Sequence, residues 1–354
     1  MNPSPRIGVL LLNFGEPETY DYDEVVSFLE RIFNRNSSLE STAGNPNSRT
    51  KELAKQRAPS LIEEYEAMGG SPLNLQARQQ ATKVEKELRK RMLNVRCYSG
   101  TQFTEPFIKT AVKQAQNDGI EQLIALPVYP LCGKSTTLAA LEDVRNAMAL
   151  CALDVPIREI TGWHKHPDYL AMRADNIAEY ANRQGIKLHS DSTALVFSAH
   201  GTPIKYLKDG PRYTQYVEET CQMLSKHLGV ANYSLGYQNH TNRNIEWTSP
   251  EIEEVVRNTS ATSIILEAVS FMHEQSETKG DLDMELKGIA EEAGINFFRV
   301  PIPHDNPRFI NLLCDLIQNL LRIEPIMGEL GLRRCLCRKT PETFCLNATS
   351  GEDF

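Results

Sequence analysis

Short apolar runs alternate with longer stretches of helical periodicity along the whole chain. Four runs lie in the first half, at residues 7–13, 95–99, 122–129 and 157–161. Four more lie in the second, at 193–198, 231–237, 263–271 and 296–300. Strand–helix alternation of this kind builds parallel sheets with helices on both faces. The pattern therefore predicts an α/β fold with two similar sheets of four strands each. The halves also echo each other. The first strand ends Asn13-Phe14-Gly15-Glu16-Pro17 and the fifth ends Ala199-His200-Gly201-Thr202-Pro203, and each then enters a polar loop and a helix, 24–31 and 213–224. Two-fold repetition is one way a ligand cleft arises between domains.

Two stretches stand outside that repeat. An insert at about 33–73 carries a polar stretch (34–50), a predicted helix (60–67) and Gly69-Gly70-Ser71-Pro72. An excursion of this length is either a binding lip or a solvated variable insertion. After Pro307, Phe309, Leu312, Leu313, Leu316 and Leu320 predict a helix that packs back on a sheet, and the rest of the chain reads as an appendage.

Composition narrows the function classes. The 354 residues suggest two domains. Hydrophobic residues at 41% and charged residues at 24% are an ordinary soluble mixture. The net charge of −8 argues against a general nucleic-acid surface, which would be basic. No apolar run approaches the roughly 20 residues of a membrane span, and residues 7–12 run straight into Asn13-Phe14-Gly15 without the character of a signal sequence. The reading is a cytoplasmic protein, with peripheral membrane contact and a homodimer left open. Eight cysteines in such a chain are not a disulfide framework.

Candidate chemistry gathers at strand ends, because in a parallel sheet the C-terminal ends share one rim. His200 closes the most apolar run of the second half, where an imidazole can take or give protons near neutral pH. The loops at 237–240, 271–285 and 129–137 carry further polar groups. In 271–285, Glu274, Glu277, Asp281 and Glu285 fall at spacings of three and four, so a helix would align them on one face. Such a row binds cations or carries protons, or, for its first members, complements a helix dipole. His273-Glu274-x-x-Glu277 lacks the second histidine of a zincin.

Taken together, the motifs resemble the ferrochelatases, which insert ferrous iron into a porphyrin to make haem. They run from Gly8-Val-Leu-Leu-Leu-Asn-Phe-Gly-Glu-Pro-Glu-Thr19 through Gln56-Arg57-Ala-Pro59, Tyr65 and Gly69-Gly-Ser-Pro72. Next come Leu126-Pro-Val-Tyr-Pro130 and Phe197-Ser-Ala-His-Gly-Thr-Pro203. Tyr237-Gln238 with Trp247, Glu277-Thr278 with Leu282-Asp283, and Arg299-Val-Pro301 complete the series. About residues 6–325 are covered. The resemblance implies two Rossmann-like, chelatase-type domains: 6–160, with the lip, and 161–303, with the catalytic residues. A helix (304–325) would pack back on the first domain, followed by a tail (326–354). It places the family's histidine on His200 and its acidic partner on Glu277, both also metal-contacting, with Asp281 beyond them. Porphyrin and ferrous iron are the implied substrates; Phe14, Arg57, Tyr65, Ser71, Tyr129 and Trp247 are the candidates for porphyrin contact. Metallation releases two pyrrole protons, so a base must stand beside the ring, and the ion must exchange water for moderate N and O ligands. Protoporphyrin and coproporphyrin stay open as the ring, and a non-catalytic carrier on the same scaffold is the alternative.

The chain departs from the family pattern at several points. Gln275 replaces a frequent His, Asp281 a frequent Glu, and Cys97 an Arg. The 237–247 loop is one residue longer and reads Asn-His-Thr-Asn-Arg-Asn. Trp163, His164 and His166 match a Trp-x-x-His stretch linked to metal entry. Cys335, Cys337 and Cys345 resemble the tail ligands of those ferrochelatases that carry a 2Fe-2S cluster. Four thiolates are needed; Cys132 is the first candidate for the fourth and Cys151 the second. The alternatives are free thiols or a zinc site.

Overall fold

Strands appear at all eight apolar runs in the computed structural model of the chain, which describes residues 5–39, 46–208, 212–240, 245–321, 331–338 and 340–347. The first four are β1 (Ile7–Asn13), β2 (Val95–Thr101), β3 (Gln122–Pro127) and β4 (Ile157–Ile160). The second four are β5 (Thr193–His200), β6 (Tyr233–Gln238), β7 (Ser263–Ala268) and β8 (Asn296–Arg299). Their spatial orders, β2-β1-β3-β4 and β6-β5-β7-β8, are the same, and every pairing among them is parallel. The two halves are thus one α/β design used twice. β1 is buried at all its positions, as a central parallel strand covered on both faces must be.

The tail differs from the expected appendage. Thr343–Cys345 (β10) pairs in parallel with β4, and Arg333–Arg334 (β9) pairs antiparallel with β10, so the first sheet has six strands. A buried carboxylate holds this addition. Glu159 on β4 lies 2.6 Å from Arg145 Nε, accepts from Thr343 Oγ1 at 2.8 Å, and lies 3.4 Å from Arg338 Nη2. Sequence periodicity is blind to a strand of three residues.

In the insert, the helix Pro46–Met68 is much longer than the predicted 60–67. Its buried face, Ala54, Ala58, Leu61 and Tyr65, packs on Val25, Phe28 and Leu29 of the helix Tyr22–Arg35. Small alanines made that stripe look polar. The helix Pro307–Leu321 buries all five predicted apolar positions and touches both halves: Phe309 stacks near Trp163, and Arg91 pairs with Asp315 at 2.5 Å. Residues 40–45 of the polar stretch, 241–244 of the long loop, 322–325 and the tail positions 326–330, 339 and 348–354 lie outside the described residues. Among the described residues no helix is long and apolar enough to cross a membrane.

One buried ion pair braces the second sheet. Arg173 Nε lies 2.5 Å from Glu267 Oε1 on β7, both side chains fully buried. The same guanidinium donates to the carbonyls of Ala268 (2.7 Å) and Phe271 (2.9 Å). It therefore fixes the chain just where β7 ends and the acidic segment begins.

Candidate active site

His200 is the last residue of β5, opposite Gln238, the last of β6. Its backbone is held on both sides: its N–H donates to Ser270 Oγ at 3.0 Å and its carbonyl accepts from Tyr213 Oη at 3.0 Å. The next residue must be glycine. Gly201 N donates to the Gln238 carbonyl at 2.7 Å, and a Cβ there would stand 2.0 Å from Asn239 Oδ1. This close crossing of two strand ends sets His200 facing the other half.

Its partner comes from the loop after β7. Glu277 Oε1 lies 2.9 Å from His200 Nε2. Gln275 Nε2 donates to the other carboxylate oxygen, and the Glu277 carbonyl accepts from Gln238 Nε2 at 2.9 Å. Burial opposes charge on both groups, yet the mutual attraction outweighs it. The imidazole is raised above its ordinary value and the carboxylate is held well below its own. Each group thus favours the charged form of the other, with one proton between them. His240, from the loop after β6, points its Nε2 at the same place, 3.4 Å from His200 Nε2 and 3.6 Å from Glu277 Oε1.

The acidic row is real but shorter than the helical reading expects. Glu277–Leu286 winds as a π-helix, whose wider turn keeps residues four apart nearly stacked, so Glu277, Asp281 and Glu285 align. Glu274 precedes the helix and is turned away. It accepts from Arg299 Nη1 at 3.1 Å, the Ile302 N–H at 2.8 Å and Thr278 Oγ1 at 2.7 Å, a purely structural set. Burial, then Glu277 and Glu285, push Asp281 up to about 8, and burial raises Glu285 as well.

A carboxyl that titrates near 8 can accept and release a proton at working pH. It also gives stability a pH dependence. The folded state binds the Asp281 proton more tightly than the unfolded chain, so this contribution is complete below about 3.8 and is lost as pH rises through about 8. Asp281→Asn is expected to melt close to wild type near pH 4 and increasingly above it as pH rises to 9. Equal shifts at both pH values, read by calorimetry, would contradict the assignment.

An open cleft of about 1270 Å³, counting its mouth, lies in front of His200 and Glu277. Of the porphyrin-contact candidates, Phe14, Arg57, Tyr65 and Trp247 line it, with His200, Glu277 and Asp281. Arg57 is already engaged by Glu64, at 2.8 and 2.9 Å. Ser71 and Tyr129 are not among the lining residues. Ser71 Oγ donates to Glu16, and the Tyr129 hydroxyl meets the Phe14 backbone. The helices Tyr22–Arg35 and Pro46–Met68 supply Leu29, Ile32, Phe33 and Leu61 to one wall.

Two lining residues escaped the sequence reading. Glu16 is only 4% exposed and accepts from the hydroxyls of Ser71 and Ser276 and from the Ser276 N–H at 3.1 Å, so it ties the two halves together beside Glu277. Burial raises its pKa. Its placement depends on Gly15, whose φ of +85° and contact with Thr101 and Thr104 exclude a side chain. The echo between strand ends was the available signal, since Glu16 sits two residues past the position equivalent to His200. His240 stood in a loop already marked as rich in polar groups, but only sheet register brings it to His200.

Away from the cleft, Cys132, Cys335, Cys337 and Cys345 line one small pocket with Thr161 and Tyr216. Cys151 lies elsewhere, packed on the cluster of Leu141, Val144 and Met148. Trp163, His164 and His166 are buried, not exposed as an entry path would need. His166 caps the helix Pro167–Arg183 by accepting from the Asp168 N–H, and His164 Nε2 lies 2.9 Å from Glu219.

The ferrochelatase family model matches residues 6–321. The ferrochelatase of Synechococcus sp. (strain RCC307) is 33% identical over 89% of this chain and 83% of its own. That of Aquifex aeolicus (strain VF5) is 30% identical over 88% of this chain and 98% of its own. Among solved structures, SirB from Bacillus subtilis with Fe3+ overlays with a TM-score of 0.48 at 11% identity, over 86% of this chain and 93% of that one.

Proposed function

The chain belongs to the ferrochelatase family, and on that premise we propose that it is a lyase that inserts ferrous iron into protoporphyrin IX. The product is protohaem, with two protons released. The observation that carries this reading is the 2.9 Å contact between His200 and Glu277 in the wall of a large open cleft. A carrier would need the cleft alone. A metallating enzyme needs, in addition, a base for the pyrrole protons and moderate ligands for the ion.

In this reading Phe14 and Trp247 give apolar contact to the ring, and Arg57, once released from Glu64, receives a propionate. The entering ion would displace the proton shared by His200 and Glu277, which leaves toward Asp281, and once the ion has passed to the ring the released imidazole accepts a pyrrole proton. Asp281, poised near 8, and Glu285 pass protons outward. A cleft that fits a distorted ring better than a flat one lowers the barrier further. The test is anaerobic insertion of Fe2+ into protoporphyrin and into coproporphyrin by the purified protein. Faster turnover of protoporphyrin is expected. Coproporphyrin as the better substrate would reassign the ring, and no insertion into either would leave a carrier.

We also propose that Cys132, Cys335, Cys337 and Cys345 hold a 2Fe-2S cluster. The convergence of all four thiols on one pocket supports it. Burial pushes the Cys132 thiol up, so a metal is needed to make it a thiolate. When bound, the cluster would tie the tail to the loop after β3 and supply a one-electron couple. Anaerobically prepared protein should show visible absorption bands and acid-labile sulfide, and Cys132→Ser should lose most of both. Colourless wild-type protein, as for a zinc site, would refute the cluster.

A further inference from the structure

We propose that His240 is a third protein ligand of the incoming metal ion, closing with His200 and Glu277 a seat of two imidazoles and one carboxylate for a borderline divalent ion. The proposal rests on the metal-insertion reading and adds a residue to it. The three donor atoms form a triangle with sides of 2.9, 3.4 and 3.6 Å. Two donors each about 2.1 Å from one ion, and separated by a tetrahedral or octahedral angle, stand about 3.0–3.4 Å apart. The triangle is therefore close to the size one ion requires.

The remaining groups orient the donors. His200 makes a hydrogen bond with the backbone of Gly201, which leaves Nε2 to face the cleft. Gln275 occupies the far oxygen of Glu277, which leaves Oε1 for the triangle. Asn239, next to His240, donates to the Thr248 carbonyl at 2.8 Å, and the His240 ring stands edge-on to Trp247. Only one short hydrogen bond lies within the set, and His240 Nε2 contacts His200 Nε2 at a longer 3.4 Å. Oε1 accepts from His200 at 2.9 Å, while His240 Nε2 stands 3.6 Å from it. A cation among the three would satisfy all of them.

Exposure gives the seat a direction. The side chain of His240 is 47% exposed, against 29% for His200 and 21% for Glu277. His240 thus meets an ion arriving from solvent first, and the deeper pair completes the exchange of water for protein ligands. Imidazole and carboxylate donors select ions such as Fe2+, Co2+ and Zn2+ over Mg2+ and Ca2+. Binding needs neutral imidazoles, so the proton between His200 and Glu277 leaves as the ion enters.

Co2+ titrated into porphyrin-free protein, followed by its visible d–d absorption, tests this without recourse to turnover. Wild type is expected to bind and to show bands of a nitrogen-containing site. His240→Ala and His240→Asn are both expected to weaken Co2+ binding at least about tenfold and to change the band shape, with melting temperatures close to wild type because the side chain is half-exposed. Unchanged affinity and spectrum in both variants, or no Co2+ binding by wild type, would overturn the proposal. Failure of the metal-insertion reading itself would look different: no porphyrin metallated by a wild type that still binds Co2+ through His240.

Discussion

Alanine at position 200 is expected to slow porphyrin metallation by about 10²–10⁴-fold, the range lost when a positioned general base is removed. The variant should fold. Three hydrogen bonds fix this stretch through its backbone: from the His200 N–H to Ser270, from Tyr213 to the His200 carbonyl, and from the Gly201 N–H to Gln238. None needs the imidazole. Stability should change in a pH-dependent way whose sign follows from the ion pair. Glu277, lowered in the folded state, contributes above about 4.5 and loses that contribution as pH falls. His200, raised, contributes fully below about 6.5 and loses its contribution as pH rises through its folded value. The melting-temperature gap between wild type and His200→Ala should therefore be widest near pH 6 and narrow as pH rises above it. Metallation kinetics and melting curves on the same preparations check both halves. Wild-type turnover by His200→Ala would overturn the assigned role, and a gap that widened with pH would contradict the shared proton.

The second large effect is on stability. Arg173→Ala is expected to cost about 3–5 kcal/mol, because it leaves the Glu267 carboxylate buried without its counter-charge. It also removes donors from the Ala268 and Phe271 carbonyls. Ser270, between them, is the residue that accepts from the His200 N–H, so lost stability should bring lost activity. Replacing both partners, Arg173→Met with Glu267→Leu, should recover most of the loss, since an apolar pair of similar volume leaves no unpaired charge. Urea unfolding of the single and double variants measures this. A single variant within about 1 kcal/mol of wild type would mean that water or another group neutralises Glu267.

Much of this molecule is legible in its sequence because parallel strands buried on both faces announce themselves as apolar runs. The eight strands and the repeated design follow from that. His200 was legible for the same reason, since it ends the most apolar run of its half. Spacing alone could not decide the role of Glu274, because it ignores where a helix begins; the segment before Glu277 is bent toward Arg299. Glu16 and His240 carry no local signal of their own. One is placed by a left-handed glycine and two serines from distant segments, the other by the register of β5 on β6. Cys132 was ranked before Cys151 by the resemblance alone, but its meeting with the tail cysteines in one pocket depends on the tail's path, which no periodicity encodes.

That path has a colloidal consequence. Without β10, the chain at Ile157–Ile160 would end its sheet with unpaired N–H and C=O groups, a template for another chain's strand. Glu159 would also lose Thr343 and Arg338. Thr343–Cys345 thus cover an edge that would otherwise be open to another chain, and a protein cut before them is expected to meet a solubility problem before a catalytic one.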